Sequence, residues 1–153
     1  MSTALELLKA FAADRQLADF APDGEGRAGL TVDGKVQVDL KADGDRLYVY
    51  SSIGTVPGSN ERTVLGVLLV ANLEGSLGQG PVMSIDPTLG DIVLGYRLDA
   101  RSAGSAAVLR AVGLVAEQAA SWRQRLDEIA ARPRDADAPP RRPEHIANLM
   151  NRA

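Results

Sequence analysis

The groups that could do chemistry are few. The chain has one His, His145, and no Cys. Without Cys there is no thiol nucleophile, disulfide, thiolate zinc site or iron–sulfur cluster. A single His rules out a two-His metal site and leaves one possible imidazole base. That base falls in a Pro- and Arg-rich stretch, where nothing would hold it within reach of its proton. Gly24-Glu25-Gly26-Arg27-Ala28-Gly29 spells G-x-G-x-x-G. The dinucleotide fingerprint needs a strand before it and a helix after it, so that the helix N-terminus faces the pyrophosphate. Here a loop precedes and a strand follows, so the stretch reads as a glycine-rich turn. Asp33-Gly34 and Asp43-Gly44-Asp45 place carboxylates on turns, but a calcium loop needs about six spaced oxygen ligands. No Ser stands in G-x-S-x-G, and Asp127-Glu128 reads as a solvated helix face. No catalytic constellation emerges, and no cofactor or metal is expected.

The elements that would position any site follow from periodicity. Thr3-Ala4-Leu5-Glu6 fits a capping box, and Leu5, Leu8 and Ala12 recur with helical spacing, so the first element is a helix fading near Arg15. Leu30–Val32 leads into Asp33-Gly34, a hairpin signal. Val36, Val38 and Leu40 alternate with polar residues, Asp43-Gly44 makes a second turn, and Leu47-Tyr48-Val49-Tyr50 alternates again. This is an antiparallel meander. Pro57-Gly58-Ser59-Asn60 breaks it and starts a helix over about residues 60–74. Val82–Ile85 and Ile92–Leu98 are two more strands. The longest helix spans 105–130, with Val108, Val112, Val115, Ala119, Trp122, Leu126 and Ile129 in one stripe. Trp122 is expected in the core. The order α-β-β-β-α-β-β-α predicts an α+β fold, a twisted, mostly antiparallel sheet covered by helices.

Composition sets the bounds. The chain has 153 residues, 45% hydrophobic and 24% charged, ordinary for a globular protein. Net charge is −3. Residues 1–130 hold 12 Lys/Arg and 17 Asp/Glu, so −5; residues 131–153 hold five Arg and three Asp/Glu, so +2. An acidic folded part argues against nucleic acid as the main partner. The longest wholly apolar run, Val64–Ala71, is far short of a membrane span, and the N-terminus lacks signal-peptide character, so a cytoplasmic location is expected. Residues 1–131 are read as one domain. Residues 132–153, rich in Pro and Arg, are read as a disordered tail ending in a short apolar cluster, Ile146, Leu149 and Met150.

The second helix stands out. Val64, Val67, Leu68 and Ala71 form one stripe, and Leu65, Leu69 and Leu73 form another. A surface helix needs one apolar face; this one is apolar nearly all round. Its sheet can cover one side, and a second copy of the chain is the simplest cover for the other. Gly66 in mid-helix would permit close backbone approach there. The first helix also has apolar residues to spare, and Tyr48 and Tyr50 lie on the outward strand face. Together they suggest a patch for an extended peptide.

These stretches, in this order, resemble the class I type III secretion chaperones, the Tir-chaperone family. The likeness spans roughly residues 3–130. It is carried by Leu5-Leu8-Phe11, Leu17-Ala18-Asp19-Phe20, Leu30-Thr31-Val32-Asp33-Gly34, Val36-Gln37-Val38-Asp39-Leu40 and Leu47-Tyr48-Val49-Tyr50. The stretch from Val64 to Ala71-Asn72-Leu73 follows, then Gly78-Gln79-Gly80, Ser84-Ile85-Asp86-Pro87, Gly90-Asp91-Ile92-Val93-Leu94 and Trp122-Arg123. The resemblance implies a small cytoplasmic homodimer without enzymatic activity or cofactor. It would bind the N-terminal segment of a secreted effector and keep it extended, soluble and secretion-competent, with the secretion-apparatus ATPase as a further partner. It assigns effector contacts to Leu5, Leu8, Phe11, Tyr48 and Tyr50. Dimer contacts fall to Val64, Leu65, Val67, Leu68, Leu69, Leu73, Val82 and Met83. The tail from Arg132 departs from the family pattern; its apolar end is expected to dock on the empty effector patch or to recruit secretion machinery. The alternative reading is a partner-switching regulatory adaptor on the same fold, without a secreted client.

Overall fold

The computed structural model describes residues 3–78 and 80–134. The tail expectations that rest on His145, Ile146, Leu149 and Met150 lie outside the described residues, as does Gln79. The elements are α1 (Thr3–Asp14), β1 (Arg27–Val32), β2 (Val36–Asp43), β3 (Arg46–Thr55), α2 (Glu61–Gly78), β4 (Val82–Ile85), β5 (Asp91–Asp99) and α3 (Ser105–Ala130). Every expected element is present in the expected order.

The strands form one antiparallel sheet in the order β1-β2-β3-β5-β4. The turns explain the meander. Asp33 and Gly34 both take positive φ, 51° and 66°, and the Lys35 N–H closes onto the Val32 carbonyl at 3.0 Å. That left-handed pair has the twist that suits adjacent antiparallel strands. At the second turn Asp43 pairs with Arg46, so the two loop residues are Gly44 and Asp45, one position later than the sequence suggested. Gly44 supplies the positive φ of 57°.

One sheet face is the core. Val38, Leu40, Leu47, Val49, Ile53, Ile92 and Leu94 point into it and are fully or almost fully buried. The α3 stripe from Val108 to Ile129, Trp122 included, packs onto β2, β3 and β5. Helix α1 adds Leu8 and Phe11, with Phe20 edge-on to Phe11 at 5.9 Å between ring centres. The Ala4 N–H donates to the Gly44 carbonyl at 3.1 Å, which anchors the start of α1 on the β2–β3 turn.

Two differences from the sequence expectation have local causes. Strand β3 runs on to Thr55 through polar residues because Ser51, fully buried, donates its hydroxyl to the Gln37 carbonyl at 2.7 Å. Helix α2 continues past Gly75 to Gly78 although glycine disfavours helix. A Cβ at Gly75 would collide with the Pro81 carbonyl, so only glycine lets the chain entering β4 cross α2 this closely. The other end of α2 is fixed by buried Asn60, which donates to the carbonyls of Ile129 (3.0 Å) and Arg132 (3.4 Å) at the end of α3.

Candidate functional site

Two surfaces lack cover in the monomer. The first is made by α2 and β4. Val64 and Leu68 face inward and are buried, while Leu65 and Val67 are half-buried. Leu69 (71% exposed), Val70 (70%), Leu73 (52%) and Leu77 (80%) form an outward apolar stripe with Gly66, where a methyl group would meet no other atom within 4 Å. Beyond the stripe, β4 is an edge strand showing Val82 and Ile85, each 41% exposed. A band of exposed apolar side chains in this number, on one helix and the neighbouring edge strand, marks a site of association. Of the residues expected at a dimer contact, Leu69, Leu73 and Val82 lie in the band, with Leu65 and Val67 at its margin. Val64, Leu68 and Met83 instead belong to the monomer core. Val70 and Ile85 fall within the stretches expected to supply dimer contacts, Val64–Leu73 and about Val82–Ile85, whereas sequence reasoning missed Leu77. Leu77 lay beyond the expected helix end, but extending the 69-73 spacing by four residues would have reached it.

The second surface is the outer face of the sheet, and its register sorts it into rows. Asp43, Arg46 and Asp99 lie side by side and alternate in charge. The next row is Arg27, Lys41, Tyr48 and Arg97, three cations and a ring. The third is Gly29, Asp39, Tyr50, Gly95 and Val82. A Cβ at Gly29 would meet Gln37 Nε2 at 2.6 Å and Asp39 Oδ1 at 2.8 Å, so glycine makes room for the 3.1 Å hydrogen bond that Gln37 donates to Asp39. Partial burial pushes the Tyr50 hydroxyl above its usual pKa, and the neighbouring Asp39 charge adds to this. An open groove of about 1100 Å³ runs over the second row and the Tyr50, Gly95 and Val82 end of the third, with Gly75, Ser76 and Gly80 at its border where α2 gives way to β4.

Among the residues expected to bind an effector, Tyr48 and Tyr50 are half-buried on this groove. Leu5 is half-buried on α1. Leu8 and Phe11, also expected as contacts, are 0% and 2% exposed in the monomer and pack α1 onto the core. A second groove, of about 750 Å³, runs between α2 and α3 and is lined in part by Trp122, with the Arg125 guanidinium 4.9 Å from the centre of the indole.

The remaining polar clusters are structural. The G-x-G-x-x-G stretch is a turn in which Asp23 Oδ1 accepts from the N–H groups of Arg27 (2.9 Å) and Glu25 (2.8 Å). The Arg27 N–H in particular holds the Asp23 carboxyl below its usual range. Among the described residues no cluster of three His, Cys, Asp or Glu could hold a metal, and no helix is long and apolar enough to cross a membrane.

The family model described as Tir chaperone protein (CesT) family matches residues 6–123. Solved structures share the fold. The HopA1–SchA chaperone–effector complex aligns at 17% identity with TM-score 0.68, over 80% of this chain and 95% of that one. The Yersinia pestis type III secretion chaperone SycH, in complex with a stable fragment of YscM2, aligns at 18% identity with TM-score 0.63, over 79% and 99%. The ExsC–ExsE complex aligns at 20% identity with TM-score 0.68, over 82% and 97%. No match is found among curated protein sequences.

Proposed function

The chain belongs to the Tir chaperone protein family, a family of type III secretion chaperones. From that premise we propose that it is a cytoplasmic, non-enzymatic homodimer. It binds the N-terminal segment of one or more secreted effectors and hands that segment on, unfolded, to the secretion machinery. The match over residues 6–123 carries the reading. The open, tyrosine-lined sheet face and the apolar α2–β4 band supply surfaces of the right kind. Residues 1–131 form the chaperone domain in this reading, and 132–153 a tail that touches client or machinery.

The mechanism is passive. An extended client segment gains apolar contacts and backbone hydrogen bonds on the chaperone. Ordering the segment offsets part of that gain, so it remains releasable. The secretion ATPase is the partner to which client and chaperone are delivered. Affinity capture of the tagged protein from its native cell, with mass spectrometry and limited proteolysis of the captured chain, tests the function. A secreted protein whose protected region maps near its N-terminus is expected. Capture of resident folded proteins alone, under secretion-inducing conditions, would refute it.

A further inference from the structure

The outer sheet face carries one cross-strand row of cations with no acid directly opposite, flanked by rows that hold Asp39, Asp43 and Asp99. In the row of Asp43, Arg46 and Asp99 the single cation has an acid directly opposite on each side. The neighbouring row sets Arg27 against Lys41, then Lys41 and Arg97 on either side of Tyr48, with no acid in line. Like charges directly opposite on a sheet are destabilising. Arg27 has relief from Glu25 at 2.9 Å. Among the described residues neither Lys41 nor Arg97 makes an ion pair or side-chain hydrogen bond. Adjacent strands are about 4.8 Å apart, so these two cations stand about 10 Å apart at the backbone and their long side chains can converge above the ring between them.

We propose that Lys41, Tyr48 and Arg97 form a carboxylate-binding site in the client groove. It selects extended segments that carry an Asp or Glu with an apolar residue two positions away in the chain. The inference rests on the proposed chaperone role and names the class of segment served. The spacing comes from the sheet itself. Tyr48 and Tyr50 are two residues apart on one face, and so are alternate side chains of an extended segment laid along β3. An acidic side chain over the Lys41–Tyr48–Arg97 row therefore puts the next inward-facing side chain over Tyr50. Gly95 beside Tyr50 leaves room there, and Val82 lines the far wall. The groove also holds Asp43 and Asp86. These disfavour a polyanion such as nucleic acid along the groove.

The test is selection of a displayed random-peptide library on the full-length wild type and on K41E/R97E, with K41Q/R97Q as the milder variant. Circular dichroism confirms that each variant folds. Wild-type binders are expected to share an acidic position with an apolar residue two places away, on the same side of it in all of them. K41E/R97E is expected to select Lys or Arg at the acidic position, and to bind a synthesised wild-type peptide about tenfold more weakly or worse. The same peptides with the same affinity on both proteins would overturn the carboxylate site and leave segment binding standing. No enriched peptide on either protein would overturn segment binding itself. A variant that loses dimer mass while keeping its peptides would place the row at the subunit contact, which also overturns the proposal.

Discussion

The side-chain amide of Asn72, on α2, bonds both backbone groups of Met83, on β4. Its Nδ2 donates to the Met83 carbonyl at 2.8 Å, and its Oδ1 accepts from the Met83 N–H at 2.6 Å. β4 is an edge strand, and the Met83 groups that would otherwise be open to another strand are taken by a side chain that pairs as a strand would. The same contact fixes the angle between α2 and the sheet, and hence the shape of the apolar band that both contribute.

Replacing Asn72 by Ala should therefore do more than remove two hydrogen bonds. It leaves a partly buried donor and acceptor without partners, at a cost of about 1–3 kcal/mol. Urea unfolding should show that loss. Amide exchange should speed up at Met83 and Ser84 well before it does on β2 and β3. Uniform acceleration across the sheet would mean that the contact is not local.

The α2 stripe gives a paired test of association. Leu69 and Leu73 are exposed and Leu68 is 5% exposed on the same helix. Leu69→Asp and Leu73→Asp should keep helix content and thermal stability close to wild type while shifting solution mass from near twice 16.1 kDa toward 16.1 kDa. Leu68→Asp should unfold the protein, because it buries an uncompensated charge. Sedimentation of the first two variants decides it; a monomeric wild type, or variants still dimeric, would exclude the stripe from the interface.

At the β5–α3 turn, Arg101 donates from Nε and Nη2 to the two carboxylate oxygens of Asp99, at 3.0 and 2.8 Å, and its backbone N–H adds a third bond. The side-chain bonds from Arg101, with that backbone bond, hold the Asp99 pKa at about 2. A depressed carboxylate pKa stabilises the fold above the unfolded value of 3.8, and the effect fades as pH falls toward about 2. Carbonyl-detected NMR titration should find Asp99 titrating near 2 in the wild type and nearer the ordinary aspartate value in Arg101→Ala. An unchanged titration in the variant would show that the guanidinium is not the cause.

Much of this architecture was legible in the sequence, and the failures follow a pattern. β4 and α3 end where their alternation or apolar stripe ends. β3 and α2 outran their expected limits where a tertiary partner overrode local preference: Gln37 for Ser51, and Pro81 for Gly75. The tyrosines were recognisable as outward residues from alternation alone. The cationic row was not, because Lys41 and Arg97 are 56 residues apart and only the β2-β3-β5 register sets them on either side of Tyr48. For the same reason Leu8 and Phe11 read as surplus apolar surface until the packing of α1 against α3 accounted for them.

Gly66 separates the energetics of the helix from those of the interface. In the monomer a methyl group there meets nothing within 4 Å, so Gly66→Ala carries no steric cost in the single chain. Helix propensity then predicts a gain of about 1 kcal/mol in α2. Between two copies the sign reverses if the α2 backbones approach closely at this residue, because the added methyl groups hold the helices apart. Gly66→Ala should thus raise the stability of a monomeric background such as Leu73→Asp and weaken self-association of the otherwise wild-type protein. Denaturation of the first and sedimentation equilibrium of the second read the two effects separately. Stabilisation in both would mean that the helices cross elsewhere along the stripe, with Leu73 and Leu77 the next positions to probe.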